Sequence, residues 1–531
     1  MSAGLLFTLR TAYLPGELIV VSDLPDVAGE VLVCTSTGQI INASLEHGVA
    51  TVANVPEGTH AFEMRSIEGD LLEEEFFSVR PLGEEPVMGF VTSFDQRSRD
   101  SVLEWLTQLR CTVVQVYDWM DSYSTPMPAS NRYDDPLGRP IERSSLVALI
   151  DGIRSIGAVA QAYAPVCAAD AELADSHPEW RLYRNDGEPE SLGDLLQIMD
   201  PGSSGWREHW NREYGRAVES LGFNGFHLDT YGYPRNALNV QGEPVSMERG
   251  YVEFVEAVRS AHPHDVVSFN QVNGVPRSFP VPLSPSFRYS EVWPPNDQWR
   301  HLEGLLGRSA GPHPPHGDTL AIYPPVWDSD RPDAVRTAVL SEAIVTIFGA
   351  NTLIWGDDHG ALRHPYYVDH ETLDSSECEA VLEWHRFGLR CRDLFRESLD
   401  TSWYELSDEN ASVIVTSEIA VSPEPRGGSL FCRVRRGADL VVVGALDLSG
   451  SAHGEWTSGT KEGMCVAADI SILVDEPSRW QAHVAVLGKN AGRFEPVSAS
   501  TTPMREGNGL RVSVPLASGW SVLRLTPKES S

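Results

Sequence analysis

The chain has 531 residues, too many for one hydrophobic core, so several domains are expected. Its 75 acidic against 41 basic residues give a formal charge of -34, which repels phosphate backbones and anionic lipid and speaks against nucleic acid or a membrane as partner. A hydrophobic content of 41% with 14 Trp marks a folded protein, and the substrate to look for is neutral.

From Gly16 to Pro86 the chain is a series of short β-rich runs, GELIVV, GEVLVC, GVATVANV, THAFEMRS and LEEEFFSV, separated by turn residues. That rhythm predicts an immunoglobulin-like β-sandwich over residues 1–86, with nothing catalytic in it. The pattern changes at Val87. Buried-strand runs follow at Met88–Asp95, Cys111–Met120, Ala158–Val166, 224–232, Asp265–Gly274, Phe287–Trp293, Thr319–Trp327 and Ala350–Asp358. Between them lie segments with apolar residues at helical spacing, such as Val102, Trp105, Leu106 and Leu109, or Trp206, Trp210, Ala217 and Leu221. Eight strands alternating with helices predict a central (β/α)8 TIM barrel over residues 87–396. Beyond it, six β-rich runs from ASVIVTS to WSVLRLTP predict an antiparallel β-sandwich over 397–531. The expected fold class is therefore multidomain α/β, a barrel flanked by two β-sandwiches.

The seven cysteines are scattered, with no CxxC pair and no Cys/His cluster of metal spacing. They read as buried thiols of a reducing compartment. The first 16 residues carry a six-residue apolar run interrupted by Arg10, and no run approaches the roughly 20 apolar residues of a membrane span. These features predict a cytoplasmic location, with export by an unconventional route, which leaves no such signal, as the alternative. No calcium loop of DxDxDG type and no dinucleotide or phosphate-binding fingerprint occurs, so neither a metal nor a cofactor is expected.

The chemistry is sought at the strand ends, where barrel enzymes assemble their sites from every βα loop. Reading them in turn gives Asp95, Tyr117 with Asp118 and Trp119, Tyr163, Asp229, Asn270 with Asn273, Glu291 with Trp293, Tyr323, and Asp357 with Asp358 and His359. Carboxylates, amides and aromatics suit a neutral sugar, because they bind hydroxyls and cover the apolar ring face. Taken alone, Asp229 could equally cap the next turn. In LGFNGFHLDTYGYP, however, period-2 alternation puts His227 and Asp229 on one face and Phe226 and Leu228 on the other. Glycoside cleavage needs one ionised carboxylate and one able to deliver a proton. Asp229 and Glu291, on strands four and six, are the natural pair. Tyr289 and Trp293 share the face of Glu291, and such an aromatic wall raises a carboxyl pKa by excluding water, as a general acid requires. Asp229, beside His227 and Tyr231, is better placed to stay ionised.

Three stretches, GFNGFHLDTYG, SFNQVNG and RYSEVWPP, together with VYDWM after strand two, resemble the core motifs of glycoside hydrolase family 66, the dextranases and cycloisomaltooligosaccharide glucanotransferases. The resemblance runs from Val87 to about Phe395. It implies a retaining hydrolase of α-1,6-linked glucan, dextran or isomaltooligosaccharide, working through a covalent glycosyl-aspartate intermediate. Asp229 is then the nucleophile and Glu291 the acid/base, with Tyr117, Asp118, Asn270 and Asn273 lining sugar subsites; Tyr163, His227, Trp293 and Asp358 join the substrate-binding set from their strand-end positions. The space between strands seven and eight holds one helix and leaves no room for the carbohydrate-binding module of the glucanotransferases, which favours hydrolysis. The lack of a recognisable leader is atypical for attack on extracellular dextran, and imported isomaltooligosaccharides are an alternative substrate consistent with it. Two rival readings fit the same residues: a barrel glycosidase or transglycosylase of another α-glucan or α-galactoside specificity, and a carbohydrate-binding barrel without activity.

Overall fold

The computed structural model describes the whole chain except residues 1–8, 26–27, 194, 231–235, 276–284, 307–317, 329, 397–412, 505–506, 517 and 529–531. Its centre is one curled sheet whose parallel strands are β1 (Met88–Val91), β2 (Val113–Val116), β3 (Val159–Pro165), β4 (Gly225–Asp229), β5 (Val266–Asn270), β6 (Phe287–Glu291), β7 (Thr319–Ala321) and β8 (Asn351–Leu353, continued by Trp355–Gly356). Each pairs with the next in chain order. Asn351–Leu353 pairs with β7, while Gly356, a few residues on, pairs with Phe90 of β1, so β8 touches both ends of the curl.

Alternation along these strands separates two apolar clusters. Phe226, Leu228, Val267, Phe269 and Leu320 pack outward with the helices. Met88, Phe90, Val113, Val266, Tyr289 and Ala321 fill the inside of the curl. Strands covered on both faces need apolar residues at nearly every position, which is why they read in the sequence as continuous runs. Among the covering helices are α1 (Arg99–Gln108), α2 (Arg143–Ser155), α3 (Ser204–Leu221), α4 (Met247–Ala261), α5 (Trp299–Leu305), α6 (Arg331–Ile347) and α7 (Ser375–Arg396). The Ser203 hydroxyl caps α3, and Gly222 ends it in the left-handed conformation at φ 85°, which a residue with a Cβ adopts only at a cost. The connection between β5 and β6 falls largely on residues 276–284, outside the described residues. Between β5 and β6 the described residues contain only a 3-10 turn, Val272–Gly274, and no α-helix.

On the N-terminal side, a five-stranded and a three-stranded sheet enclose one core that includes Ile19, Val21, Val33, Val52, Phe62 and Phe77. On the C-terminal side, a four-stranded and a six-stranded sheet enclose another around Leu430, Val443, Ile470, Val512 and Leu523. The strand Ala467–Leu473 escaped the sequence reading, although its residues alternate between partly exposed and buried. Buried ion pairs join the N-terminal sheets to the centre. Arg110, after α1, meets Glu75 at 2.9 Å with both side chains 2% exposed. Asp393 of α7 accepts from the Thr59 amide at 2.5 Å and from Arg80 at 2.7 Å. All seven cysteines are free, six of them buried and Cys34 partly so. Among the described residues no helix is long and apolar enough to cross a membrane.

Candidate active site

The C-terminal ends of β3 to β7 bring one cluster together. Asp229, the last residue of β4, stands at the rim and stays partly accessible. Tyr163 lies on the neighbouring strand in register with His227, and its hydroxyl donates to Asp229 Oδ2 at 2.8 Å. From the other side, Asn270 at the end of β5 donates from Nδ2 to Asp229 Oδ1 at 2.8 Å. The Asn270 Oδ1 in turn accepts from the backbone N–H of Glu291 at 3.2 Å and of Val272 at 3.2 Å. A single fully buried amide therefore ties the strand end of Asp229 to that of Glu291.

Glu291 is partly accessible as well. Its Oε1 accepts from the Tyr323 hydroxyl at 2.8 Å and its Oε2 from the Trp293 indole N–H at 3.0 Å. Behind it the Tyr289, Tyr323 and Tyr367 hydroxyls are linked through that of Tyr367. Tyr117 stacks on Tyr367 at 4.8 Å between centroids and lies 4.6 Å from the ring of Tyr163.

Burial first, and then the negative charge of Asp229, pushes the Glu291 carboxyl up to about 7. Burial also raises Asp229, but hydrogen bonds from Asn270, Tyr163 and the Thr230 amide oppose the shift. Two carboxyls that repel each other titrate as a pair, and near neutrality they hold one proton between them. Three hydrogen bonds favour the ionised form at each carboxyl, from Asn270, Tyr163 and the Thr230 amide at Asp229 and from Trp293, Tyr323 and Asn270 at Glu291, but Glu291 is pushed up further by the charge of its partner, which favours the proton on Glu291. That division is what a nucleophile and a general acid require.

His227 forms part of the floor. It is 1% exposed, and its Nδ1 bonds the Ser268 hydroxyl, which donates to Gln161. Burial lowers its pKa to about 3, so the ring is neutral and carries its proton on Nδ1 when Ser268 donates onward. Asp118, just beyond β2, is 3% exposed, and its carboxylate has no hydrogen-bond partner among the described residues. Burial raises it to about 7, with the Arg139 guanidinium pulling it down and Asp135 and Asp229 pushing it up. Its backbone is left-handed at φ 49°, as are Asn273 at φ 54°, Asp357 at φ 44° and His359 at φ 57°, conformations costing about 1–3 kcal/mol each.

The structure thus brings Asp229, Glu291, Tyr163, Asn270 and Trp293 into direct contact, sets His227 beneath them and places Tyr117 and Asp118 beside them. Two of the sequence-selected residues sit differently. The Asn273 amide oxygen is taken up by the Trp293 N–H at 2.9 Å and by Asn296 Nδ2 at 3.0 Å, so it fastens the loop after β6. Asp358 lies outside the cluster. Its carboxylate accepts from Ser101 of α1 at 2.5 Å and contacts His359 Nδ1 at 2.9 Å. The left-handed turn at Asp357 sends the preceding carboxylate inward instead, to Thr92 and Ser93 of β1's exit. Tyr231 lies outside the described residues. Tyr367 was missed by sequence reasoning because it arrives from the loop after β8, where no periodicity marks it. Among the described residues no group of three His, Cys, Asp or Glu side chains is arranged to hold a metal.

A family model described as glycosyl hydrolase family 66 matches residues 84–523. A cycloisomaltooligosaccharide glucanotransferase of Niallia circulans is 22% identical over 292 residues, which is 49% of this chain and 30% of that protein's length. The chain thus matches under a third of the length of this relative. A solved Paenibacillus sp. cycloisomaltooligosaccharide glucanotransferase in complex with cycloisomaltoheptaose superposes with a TM-score of 0.80 at 14% identity, covering 98% of this chain and 99% of that one. The α-amylase of Geobacillus thermoleovorans in complex with acarbose superposes with a TM-score of 0.52 at 9% identity, covering 85% and 99%.

Proposed function

Since the chain belongs to glycosyl hydrolase family 66, we propose that it is a retaining enzyme of α-1,6-linked glucan, acting on dextran or isomaltooligosaccharides with Asp229 as nucleophile and Glu291 as acid/base. The observation that carries this reading is the pair itself: two partly accessible carboxyls on β4 and β6, bridged by Asn270 and oppositely poised. In the first step Asp229 attacks the anomeric carbon, the bond to the leaving glycosidic oxygen breaks, and that oxygen takes the proton of Glu291. In the second, Glu291 takes a proton from the acceptor hydroxyl, whose oxygen attacks the same carbon and releases Asp229. Tyr163 and Asn270 hold the nucleophile's orientation through both steps. Tyr117, Asp118 and the exposed face of Trp293, 41% accessible, are left to contact the sugar.

The fold reading that goes with this is a (β/α)8 barrel over residues 87–396, flanked by β-sandwiches over 1–86 and 397–531. It is supported by the chain-order parallel pairing, by β8 touching β1, and by the separate inner and outer apolar clusters. With water as acceptor the reaction is hydrolysis; with a sugar hydroxyl it is transfer. Transfer is a second reading, because the Niallia circulans relative is a glucanotransferase, and a solved glucanotransferase is matched over 99% of its chain. The separation of β7 from β8 by one helix therefore does not decide between them. The test is a substrate panel of dextran, isomaltooligosaccharides, starch, pullulan and α-galactosides with product analysis. Turnover confined to the α-1,6 glucans supports the assignment, whereas turnover only of another member, or of none, overturns it. Linear reducing products mark hydrolysis, and lengthened or cyclic products mark transfer.

A further inference from the structure

The residues after Glu291 run from Val292 through Trp293 to Trp299, where α5 begins. Trp293 reaches back to the Glu291 carboxylate, and its own backbone is fastened to Asn273. Asn296 bonds both the Asn273 side chain and the Trp293 carbonyl, at 3.0 and 3.2 Å. The far side of this loop is held by a segment from the C-terminal sheets. The Trp456 indole N–H donates to the Asn296 carbonyl at 2.8 Å and the Trp456 amide to the Asp297 carbonyl at 3.2 Å. Gln298 forms an antiparallel bridge with Glu455, and the Trp299 amide donates to the Gly454 carbonyl at 3.0 Å. The holding segment is itself anchored: Trp456 is 4% exposed, the Ser458 carbonyl accepts from Thr337 of α6 at 3.1 Å, and the Thr460 amide donates to the Asp333 carbonyl at 3.4 Å.

A carboxyl that must deliver a proton works only when it is held close to its productive position. We propose that the C-terminal module completes the catalytic apparatus, with Trp456 a positioning residue that sets Glu291 through Asn296 and Trp293. The inference rests on the assignment of Glu291 as acid/base. A scaffold role alone calls for apolar packing between the module and α6, which Phe348 and Phe431 supply with rings 5.7 Å apart. The polar clamp on Asn296–Trp299 is additional to that packing, and it is applied within a few residues of the reacting group.

Trp456→Phe removes one N–H donor and keeps most of the ring. Two substrates read the consequence: an isomaltooligosaccharide, whose leaving sugar needs a proton, and a 4-nitrophenyl α-glycoside of an isomaltooligosaccharide, whose phenolate does not. The expected result is a fall of about 10-fold or more in kcat/KM on the first and under about 3-fold on the second, because general acid catalysis contributes on the order of 10²–10⁴. The ratio of the two rates does not depend on how much of the variant is folded. The alkaline limb of the pH profile should also move upward, since the Trp293 donor that favours ionised Glu291 is loosened. Glu291→Gln is the control. If it shows strong selectivity against the sugar leaving group while Trp456→Phe lowers both substrates equally or neither, the clamp is structural and this inference fails alone. If Glu291→Gln shows no such selectivity, the acid/base assignment fails and the inference goes with it.

Discussion

Replacing Tyr163 by Phe tests the electrostatics of Asp229 with a change of one oxygen. The Tyr163 hydroxyl donates to Asp229 at 2.8 Å, and its ring, which packs against Tyr117, is retained in the variant. A hydrogen bond to a charged group contributes about 1.5–3 kcal/mol, and about 1.4 kcal/mol is one pKa unit, so the ionised Asp229 loses roughly one to two units of stabilisation. Asp229 is partly accessible and water can enter the vacated place, which sets the expectation at the lower end, about one unit. The sign follows from which form the donor favours. The hydroxyl lowers the pKa of Asp229, so its loss raises it and catalysis requires a higher pH before the nucleophile is ionised. The acid limb of kcat/KM against pH should rise by about one unit while the alkaline limb, set by Glu291 near 7, moves less. The bell narrows and its maximum falls. Kinetics on an isomaltooligosaccharide from pH 3 to 9 measures both limbs. An acid limb that stayed in place, or moved down, would show that Asp229 is not the group ionised for catalysis.

Asp118→Asn should lower kcat/KM by about 10–100-fold, the loss of one or two sugar hydrogen bonds with a charged partner. The same substitution should raise Tm at pH 8 and leave it unchanged at pH 4, because a carboxyl raised to about 7 destabilises the fold increasingly from its unfolded value near 4 up to 7; a lower Tm at pH 8 contradicts this. Asp357→Ala strands the Thr92 amide, the Thr92 hydroxyl and the Ser93 amide at the junction of β8 and β1, and at about 1–3 kcal/mol per lost partner the unfolding free energy should drop by about 3 kcal/mol or more. Denaturant unfolding at pH 7 measures it, and an unchanged midpoint would count against the clamp. At Asp393, burial pushes the carboxyl up, but Arg80, Arg392 and the Thr59 amide more than offset it, leaving the pKa below the usual range. Asp393→Asn should therefore destabilise by about 3–5 kcal/mol at pH 7, with the difference from wild type shrinking progressively as pH falls from the usual carboxylate value through the lowered folded-state pKa; a deficit independent of pH refutes the ion-pair account.

The central strands were legible because parallel strands covered on both faces must be apolar throughout, so each appears as a run bounded by turn residues. The alternation in Phe226–Asp229 likewise sets the carboxylate on the face opposite Phe226 and Leu228. What escaped is set by backbone conformation or by long-range assembly. Asp357 and Asp358 are indistinguishable as letters, and a left-handed φ at the first decides which faces Thr92 and which faces α1. Asn273 reads as a subsite amide, yet its oxygen fastens the loop after β6, because Trp293 and Asn296 are brought to it from a distant stretch. Tyr367 and Trp456 carry no local signal, since each acquires its position only when a distant segment folds onto the strand ends.

The account's central claim is that Asp229 forms a covalent bond to the sugar while Glu291 moves the proton. It is tested most directly by azide rescue of Asp229→Ala and Glu291→Ala on the 4-nitrophenyl α-glycoside, with the anomeric configuration of the products read by NMR. In Asp229→Ala the anion takes the place of the nucleophile, so the product is the glycosyl azide of inverted configuration. In Glu291→Ala it attacks the glycosyl-enzyme from the side where water enters, so the azide has retained configuration. The opposite pairing, or an Asp229→Ala variant that turns over isomaltooligosaccharide at near wild-type rate without azide, would contradict the claim.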